Sequence, residues 1–214
     1  ALADDIRLLR TQADRCREIL RTLTRKPNEK DPHHASLPLT QLLHEAAQPY
    51  RNGFKRIEIS APPATAGAAR EPIAERRPGL IYGIGNIIEN AVDFAATRVE
   101  IEARWTEKEV EVSITDDGPG FAAGVIEALG EPYVTTRPQG QQRAGEEASG
   151  LGLGFFIAKS LLERSGARLG FANRDEPQTG AVVRITWPRI AFDLSRAKAA
   201  LPASTPPTAA TVPA

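Results

Sequence analysis

The sequence predicts an α+β fold in which helices cover one face of a mixed, mostly antiparallel sheet, preceded by one long N-terminal helix of a bundle or coiled coil. In several segments apolar residues recur every three or four positions, which is typical of amphipathic helices. In others they alternate with polar residues, which is typical of half-buried strands. The 214 residues are 41% hydrophobic and 25% charged, an ordinary composition for a domain with its own core.

Residues 1–26 are predicted to form the long N-terminal helix. Its apolar residues are spaced alternately by four and three, as in the seam of a coiled coil. The seam consists of Leu2, Ile6, Leu9, Ala13, Cys16, Leu20 and Leu23. An isolated helix of this length is marginally stable in water, so we expect a partner from another chain or from upstream sequence. The alternative is a helix packed on its own domain.

Residues 27–37 are predicted to form a polar linker, in which His33 and His34 are expected to be solvated rather than to bind metal. The main domain is predicted to span residues 38–190. Its predicted helices are 39–46, 79–95 and 151–164, and its predicted strands are 57–59, 99–105, 110–115, 167–173 and 181–187. Residues 61–72 are a predicted loop, and residues 121–149 have little periodicity. Residues 191–214 lose the pattern and are predicted to form a disordered tail.

The composition excludes several classes of protein. The 27 Lys and Arg residues balance the 27 Asp and Glu residues, which argues against a dominant basic surface for nucleic acid. No apolar run is long enough to span a bilayer. The single Cys excludes an internal disulfide and a thiolate zinc cluster. Because the sequence has no Met and no signal-peptide pattern, we expect a longer protein to continue upstream of Ala1.

The first segment that indicates chemistry lies on the helix at residues 79–95. Asn86, Asn90 and Asp93 are spaced four and three apart, so they share one helix face. Amide and carboxylate oxygens grouped in this way suit Mg²⁺, which prefers hard oxygen ligands and keeps several waters and substrate phosphates. The alternative is that the Asn side chains cap or hydrogen-bond neighbouring backbone.

Two glycine-rich segments follow. Asp116 to Gly120 reads Asp-Asp-Gly-Pro-Gly at the end of a predicted strand, where a carboxylate can accept a hydrogen bond from an exocyclic amine, as on adenine. The alternative is a simple strand-terminating turn. Gly150 to Gly154 reads Gly-Leu-Gly-Leu-Gly and runs into an apolar helix, and the backbone N–H groups of such a helix start favour anions. Its spacing fits neither the P-loop nor the dinucleotide fingerprint.

In this order, the three segments resemble the ATP-binding part of sensor histidine kinases, in the superfamily shared with gyrase-type ATPases, Hsp90 and MutL. Residues 86–94 resemble the N box of that superfamily, and residues 116–120 and 150–154 resemble its two glycine boxes. Residues 131–137, Glu-Pro-Tyr-Val-Thr-Thr-Arg, resemble the segment usually written E-P-F-x-T-T-K. The resemblance covers roughly residues 1–190 and implies ATP and Mg²⁺ as cofactors.

The resemblance also implies a role for individual residues. Asn90 would coordinate Mg²⁺, Asn86 takes the position of the general-base Glu in the ATPase members, and Asp116 would accept from the adenine amino group. The other implied nucleotide-binding residues are Asp93, Phe94, Gly118, Gly120, Arg137, Gly150, Leu151, Gly152, Leu153 and Gly154. Residues 121–149 would form the ATP lid, from which Arg137 and Arg143 are candidate phosphate contacts. Because many kinases carry Lys where this chain has Asp93, an indirect metal contact is expected there.

The N-terminal helix resembles the second helix of the dimerisation and phosphoacceptor bundle of these kinases. None of the three His residues, His44 included, lies in the H-E-x-x-x-P context of the family, so the phosphoacceptor is expected upstream. Residues 12–20 resemble the same stretch in redox-responding kinases of the RegB/PrrB/ActS type. This resemblance implies that Cys16 is a regulatory thiol, whereas the seam pattern alone favours a small apolar packing residue.

The implied function is transfer of the ATP γ-phosphoryl group to a His and then to an Asp of a response regulator receiver domain. A homodimer through the N-terminal helix, and a location as the cytoplasmic portion of a bacterial inner-membrane protein, are implied as well. One alternative is an ATPase of the same superfamily, although the Asn86 amide cannot deprotonate water. The other alternative is a degenerate, non-catalytic dimerisation module.

Overall fold

The structure is a computed structural model that describes residues 36–62, 69–122, 124–131 and 154–195. The predicted N-terminal helix, most of the linker and the tail beyond Ser195 lie outside these residues. No helix within the described residues combines the length and the apolar character needed to cross a membrane.

The domain is built on a five-stranded sheet and a separate two-stranded pairing. The strands are β1 Ser36–Pro38, β2 Arg56–Ser60, β3 Ile73–Glu75, β4 Arg98–Trp105, β5 Glu109–Asp116, β6 Arg168–Asn173 and β7 Ala181–Pro188. The order in the larger sheet is β2-β4-β5-β7-β6, in which only β2 and β4 pair in parallel. The predicted mixed, mostly antiparallel sheet is therefore confirmed.

The helices are α1 Leu39–Ala47, α2 Pro78–Phe94, α3 Gly154–Arg164 and α4 Arg189–Phe192, with short 3-10 turns at Gln48–Tyr50 and Ile126–Ala128. Helix α2 begins at Pro78, whose fixed φ and missing N–H suit a first turn. At its other end the Lys55 ammonium donates to the carbonyl oxygens of Val92 (2.5 Å) and Asp93 (3.0 Å). A cation bonded to terminal carbonyls complements the helix dipole and fixes the end of α2.

The core lies between the helices and one face of the sheet. Register places Ile101 opposite Ile114, and Ile114 opposite Val183, so buried apolar side chains form continuous rows across the strands. Trp187 is fully buried, and its indole Nε1 donates to Ser165 Oγ at 2.8 Å. The alternate positions carry polar residues such as Glu100, which pairs with Arg174 at 3.1 Å. This alternation explains why period-two sequence patterns located the strands correctly.

Two features were not predicted from the sequence. Strands β1 and β3 pair in antiparallel fashion although each has only three residues, too few to show alternation, and β1 begins inside the predicted linker. The packed segment also extends past the predicted domain end at residue 190. The guanidinium of Arg189 and the carboxylate of Asp193 form a buried ion pair at 3.0 Å. Asp193 Oδ1 in turn accepts from the backbone N–H of Ile73, which anchors the chain beyond β7 to β3.

Candidate functional site

A cleft opens where the end of β5 and the start of β7 meet helix α2 and the first turn of α3. Its lining is mainly apolar and consists of Ile87, Asn90, Ala91, Phe94, Ile114, Asp116, Gly120, Phe121, Phe155, Ala181 and Val183. The cleft has a volume of about 400 Å³, which includes space continuous with solvent. An apolar cleft with very few polar groups is the usual form of a small-molecule site, in which the polar groups fix the orientation of the ligand.

Asp116, the last residue of β5, is the acidic group of the cleft and is only 4% exposed. Its Oδ1 accepts hydrogen bonds from the backbone N–H groups of Gly118 at 2.8 Å and Ala181 at 3.2 Å. Burial raises the pKa of the Asp116 carboxyl above its ordinary value, and these two hydrogen bonds act in the opposite direction. Within the described residues no protein group donates to Oδ2, so this oxygen remains available to a ligand.

Close backbone packing around Asp116 requires glycine at two positions. A Cβ on Gly118 would overlap the carbonyl oxygen of Phe94 at the end of α2. A Cβ on Gly180, which has a φ of +129°, would overlap the carbonyl oxygen of Asp116. Glycine at position 118 therefore allows the loop after β5 to lie against α2. Glycine at position 180 allows the start of β7 to lie against Asp116.

Asn86 and Asn90 bring amide oxygens to the same region from α2. The Asn86 amide nitrogen donates to the Tyr82 carbonyl at 2.9 Å, and that of Asn90 donates to the Asn86 carbonyl at 2.7 Å. The amide nitrogens of both side chains therefore hydrogen-bond neighbouring backbone, as in the alternative interpretation of these residues. Their Oδ1 atoms are not used in these bonds, and carboxamide oxygen is a suitable ligand for Mg²⁺.

The start of α3 lies next to these two amides. A Cβ placed on Gly154 would be 3.6 Å from the side-chain amide nitrogen Nδ2 of Asn90 and 3.8 Å from Asn86 Oδ1. The first and third sequence segments therefore meet in space, with the N-terminal end of a helix beside the two side-chain amides. Such a helix end favours an anionic group, because its first backbone N–H groups lack partners within the helix.

The structure brings together some of the predicted site residues and leaves others outside. Asn90, Phe94, Asp116 and Gly120 line the cleft, and Asn86, Gly118 and Gly154 adjoin it. Asp93 is exposed and is not part of the cleft lining. The predicted residues outside the described part of the chain are Cys16, Arg137, Arg143, Gly150, Leu151, Gly152 and Leu153. Their roles remain predictions.

Sequence reasoning missed the aromatic wall of the cleft. Phe121 and Phe155 line the cleft, and their rings meet each other and the ring of Phe171 edge to face, with centroids 5.7–6.3 Å apart. The signal was weak, since Phe171 comes from β6 and only the fold brings it to the other two. The pairing of Asn173 with the backbone of Phe121 was missed for the same reason.

Asp117, the neighbour of Asp116, has a different environment. Its carboxylate accepts from the backbone N–H groups of Thr97 (2.9 Å) and Arg98 (3.1 Å) and from the Thr97 hydroxyl (2.5 Å). Desolvation acts to raise the pKa of the Asp117 carboxyl, but these hydrogen bonds together outweigh it and hold the pKa well below its usual range. Asp117 therefore ties the connection between α2 and β4 to the end of β5.

The cleft places one buried carboxylate, side-chain amides and a helix start around an apolar pocket. Together with the α+β sandwich, it defines a nucleotide-binding domain. Residues 75–191 match the family described as histidine kinase-, DNA gyrase B-, and HSP90-like ATPase. This match covers more than half of the chain, and the protein belongs to that family. It corresponds to the ATP-binding catalytic part of sensor histidine kinases, as the following relatives indicate.

The chain is 43% identical over 203 residues to the sensor histidine kinase RegB of Cereibacter sphaeroides, covering 88% of this chain and 43% of that protein. It is 30% identical over 158 residues to the sensor histidine kinase GtrS of Pseudomonas aeruginosa, covering 74% of this chain and 30% of the relative. The chain therefore spans less than half the length of these curated relatives.

Solved structures also share the fold. The mycobacterial sensor histidine kinase MprB superposes with a TM-score of 0.57 at 19% identity, covering 72% of this chain and 95% of that one. Full-length ShkA in complex with AMPPNP superposes with a TM-score of 0.53 at 25% identity, covering 74% of this chain and 31% of ShkA.

Proposed function

We propose that the protein to which this chain belongs is a sensor histidine kinase. It transfers the γ-phosphoryl group of ATP to a His on a bundle helix, and then to an Asp of a response regulator receiver domain. Similarity to RegB and GtrS supports this class of reaction. The single observation that carries the ATP-binding step is the Asp116 carboxylate, which lines the cleft and has Oδ1 held by two N–H groups, while no group of the described residues donates to Oδ2.

The base of ATP is proposed to occupy the apolar part of the cleft. Its exocyclic amino group would donate to Asp116 Oδ2, while the Phe121 and Phe155 rings and the Ile87 side chain exclude water around it. A hydrogen bond to an ionised acceptor is stronger in such a surrounding than in water. The two backbone N–H donors on Oδ1 would orient the carboxylate before the ligand arrives, which reduces the ordering cost of binding.

The phosphates are proposed to lie between α2 and the start of α3. Asn90 Oδ1 would hold Mg²⁺ together with phosphate oxygens, and bound Mg²⁺ would neutralise charge on the transferred group. Backbone N–H groups at Gly154 and the preceding glycines would complete the anion site. Asn86 can orient a neighbouring group but cannot act as a base towards water, which favours transfer to a protein acceptor over hydrolysis.

The remaining parts of the proposal rest on the sequence resemblance. Residues 1–26 would form the second helix of a homodimeric bundle, and Arg137 would contact phosphate from the lid. The chain would be the cytoplasmic portion of a bacterial inner-membrane protein. Oxidation of Cys16 would link or reshape the bundle and lower the kinase output. Non-reducing electrophoresis of wild type and Cys16→Ala after mild oxidant tests this last point, because a packing residue would produce no Cys16-dependent dimer or modification.

Calorimetry with ATP in the presence and absence of Mg²⁺ tests the proposed site. We expect ATP binding that is strengthened by Mg²⁺ in wild type, and loss of most of that strengthening in Asn90→Ala. Asn52→Ala is the matched control, since Asn52 is exposed in the loop before β2. Equal Mg²⁺ dependence in all three proteins would remove Asn90 from the metal site.

Phosphotransfer is tested by supplying an acceptor that carries a phosphorylatable His. Radiolabelled ATP and this chain should label an added helix peptide that carries the phosphoacceptor His, at a low rate because nothing tethers the two. Release of inorganic phosphate without labelling of any such peptide would instead favour the ATPase alternative. Absence of nucleotide binding in every protein would favour the non-catalytic dimerisation module.

A further inference from the structure

We infer that Asn173 is a positioning residue for the base-binding side of the cleft, acting through the backbone of Phe121. This inference rests on the proposed function, because it assigns the cleft to the base of ATP. Asn173 is the last residue of β6 and is not part of the cleft lining. It would influence the ligand only by fixing the position of a residue that does line the cleft.

The contact between Asn173 and Phe121 is two-sided. The backbone N–H of Phe121 donates to Asn173 Oδ1 at 2.7 Å, and Asn173 Nδ2 donates to the carbonyl of Phe121 at 3.0 Å. The side-chain amide therefore pairs with Phe121 as the backbone of a neighbouring strand would. Only a side chain with one acceptor and one donor at this spacing can form both hydrogen bonds, and among the natural residues of similar length that is Asn.

Phe121 depends on this pairing because it lies outside every strand and helix. Strand β5 ends at Asp116, and residues 117–122 follow it outside any helix or strand. Within the described residues no other group bonds to the backbone N–H or carbonyl of Phe121. Buried backbone groups without partners are costly, so Asn173 supplies the hydrogen bonds that keep this segment against the sheet.

The position of Phe121 in turn sets the shape of the wall next to Asp116. Phe121 is 9% exposed and its ring meets that of Phe155 edge to face at 6.2 Å, and both residues line the cleft with Asp116. The phosphate side of the proposed site is formed by other residues, Asn90 and the start of α3. Loss of the Asn173 amide should therefore weaken recognition of the base and leave recognition of the phosphates unchanged.

The test compares ATP with inorganic tripolyphosphate, both with Mg²⁺, by calorimetry on the full chain. In Asn173→Ala we expect the Kd for ATP to rise about tenfold, and the Kd for tripolyphosphate to stay within about twofold of wild type. Asn173→Asp keeps the acceptor for the Phe121 N–H but loses the donor, and should shift the two constants in the same pattern. It serves as the second variant in case Asn173→Ala does not fold.

Ser165→Ala is the matched structural control. Ser165 accepts from Trp187 Nε1 at 2.8 Å and donates to the Leu162 carbonyl at 2.5 Å, so this variant also loses two hydrogen bonds. Ser165 follows the last residue of α3, whereas Phe155 lies at the start of that helix. It should lower the melting temperature and leave both dissociation constants within about twofold.

The outcomes separate this inference from the function on which it rests. If wild type does not bind ATP, the proposed function is wrong. If wild type binds ATP and both Asn173 variants bind ATP equally well, the positioning role is wrong and the proposed function stands. Equal weakening of ATP and tripolyphosphate would also overturn the inference, since it would mean that Asn173 supports the whole domain rather than the base-binding wall.

Discussion

The replacement of Asp116 by Asn should weaken ATP binding and raise the free energy of unfolding. The structure dictates how the new side-chain amide must be oriented. The N–H groups of Gly118 and Ala181 both point at Oδ1 and require an acceptor there. In Asp116→Asn the amide oxygen must take that position, since the alternative orientation would place NH₂ against two donors. The NH₂ group then occupies the Oδ2 position and faces the cleft, where the amino group of the base also donates.

The magnitude follows from this geometry. A hydrogen bond to a charged acceptor is worth about 1.5–3 kcal/mol, and two opposed donors add the cost of an unsatisfied group. A total loss of about 2–4 kcal/mol corresponds to a rise in the Kd for ATP of roughly 30- to 1000-fold. The free energy of unfolding should change in the opposite direction, because the variant no longer buries an ionised carboxyl whose pKa is raised by desolvation.

The dependence on pH gives the sign of the stability effect. A carboxyl whose folded pKa is raised contributes stability below its unfolded pKa of about 3.9, and this contribution is lost as the pH rises through the folded pKa. Asp116→Asn does not titrate. It should therefore be more stable than wild type at pH 7, and the difference should shrink as the pH is lowered towards about 4.

Urea denaturation at several pH values and calorimetry with ATP measure the two effects, with Asp117→Asn as the matched control. The Asp117 carboxyl has a lowered pKa, so it contributes stability above its unfolded pKa that is lost as the pH falls. Asp117→Asn should be less stable than wild type at pH 7 and bind ATP within about threefold of wild type. The reasoning is refuted if folded Asp116→Asn binds ATP as tightly as wild type, or if it is less stable at pH 7.

Two further predictions concern stability alone. Gly180→Ala should cost more than about 2 kcal/mol in urea denaturation, because a Cβ there is strained at φ +129° and overlaps the Asp116 carbonyl. Gly170→Ala is the control, since nothing lies within 4 Å of its new Cβ, and its stability should stay within about 0.5 kcal/mol of wild type. Equal losses of stability in the two glycine variants would contradict the explanation by close packing at Gly180. Asp193→Ala should cost about 3–5 kcal/mol because it leaves the buried Arg189 guanidinium without its carboxylate partner. Adding Arg189→Met should recover part of that loss, and additive losses in this double-mutant cycle would contradict the coupling.

The sequence predicted most of the larger sheet and the three longer helices because their apolar periods are long enough to detect. Val99 to Trp105 alternates over a whole strand, and the apolar stripe of α2 continues over four turns. The three-residue strands β1 and β3 carry no such period. Helix α4 has only four residues, and its position is fixed by the buried pairing of Arg189 with Asp193 rather than by its own pattern.

The candidate site was predictable to the extent that its residues lie in local motifs. Asn90 and Asp116 stand in short segments whose spacing alone indicates chemistry. Phe155 and Asn173 do not, because their importance arises from contacts with Phe121 that join distant parts of the chain. Residues that bind a ligand can be found by motif, whereas residues that shape the surrounding wall become visible only when the strands are placed side by side.

The two buried acidic groups at opposite ends of β5 differ in a way that bears on function. Near the start of β5, the Asp193 carboxylate is fully used by Arg189, Ile73 and Ser195, so it needs nothing further. At the end of β5, Asp116 lines the cleft with one oxygen satisfied, and no group of the described residues donates to the other. The unliganded domain therefore carries an electrostatic cost at Asp116 that a donating ligand can relieve. ATP should for this reason stabilise wild type in proportion to its binding, and stabilise Asp116→Asn far less at the same concentration.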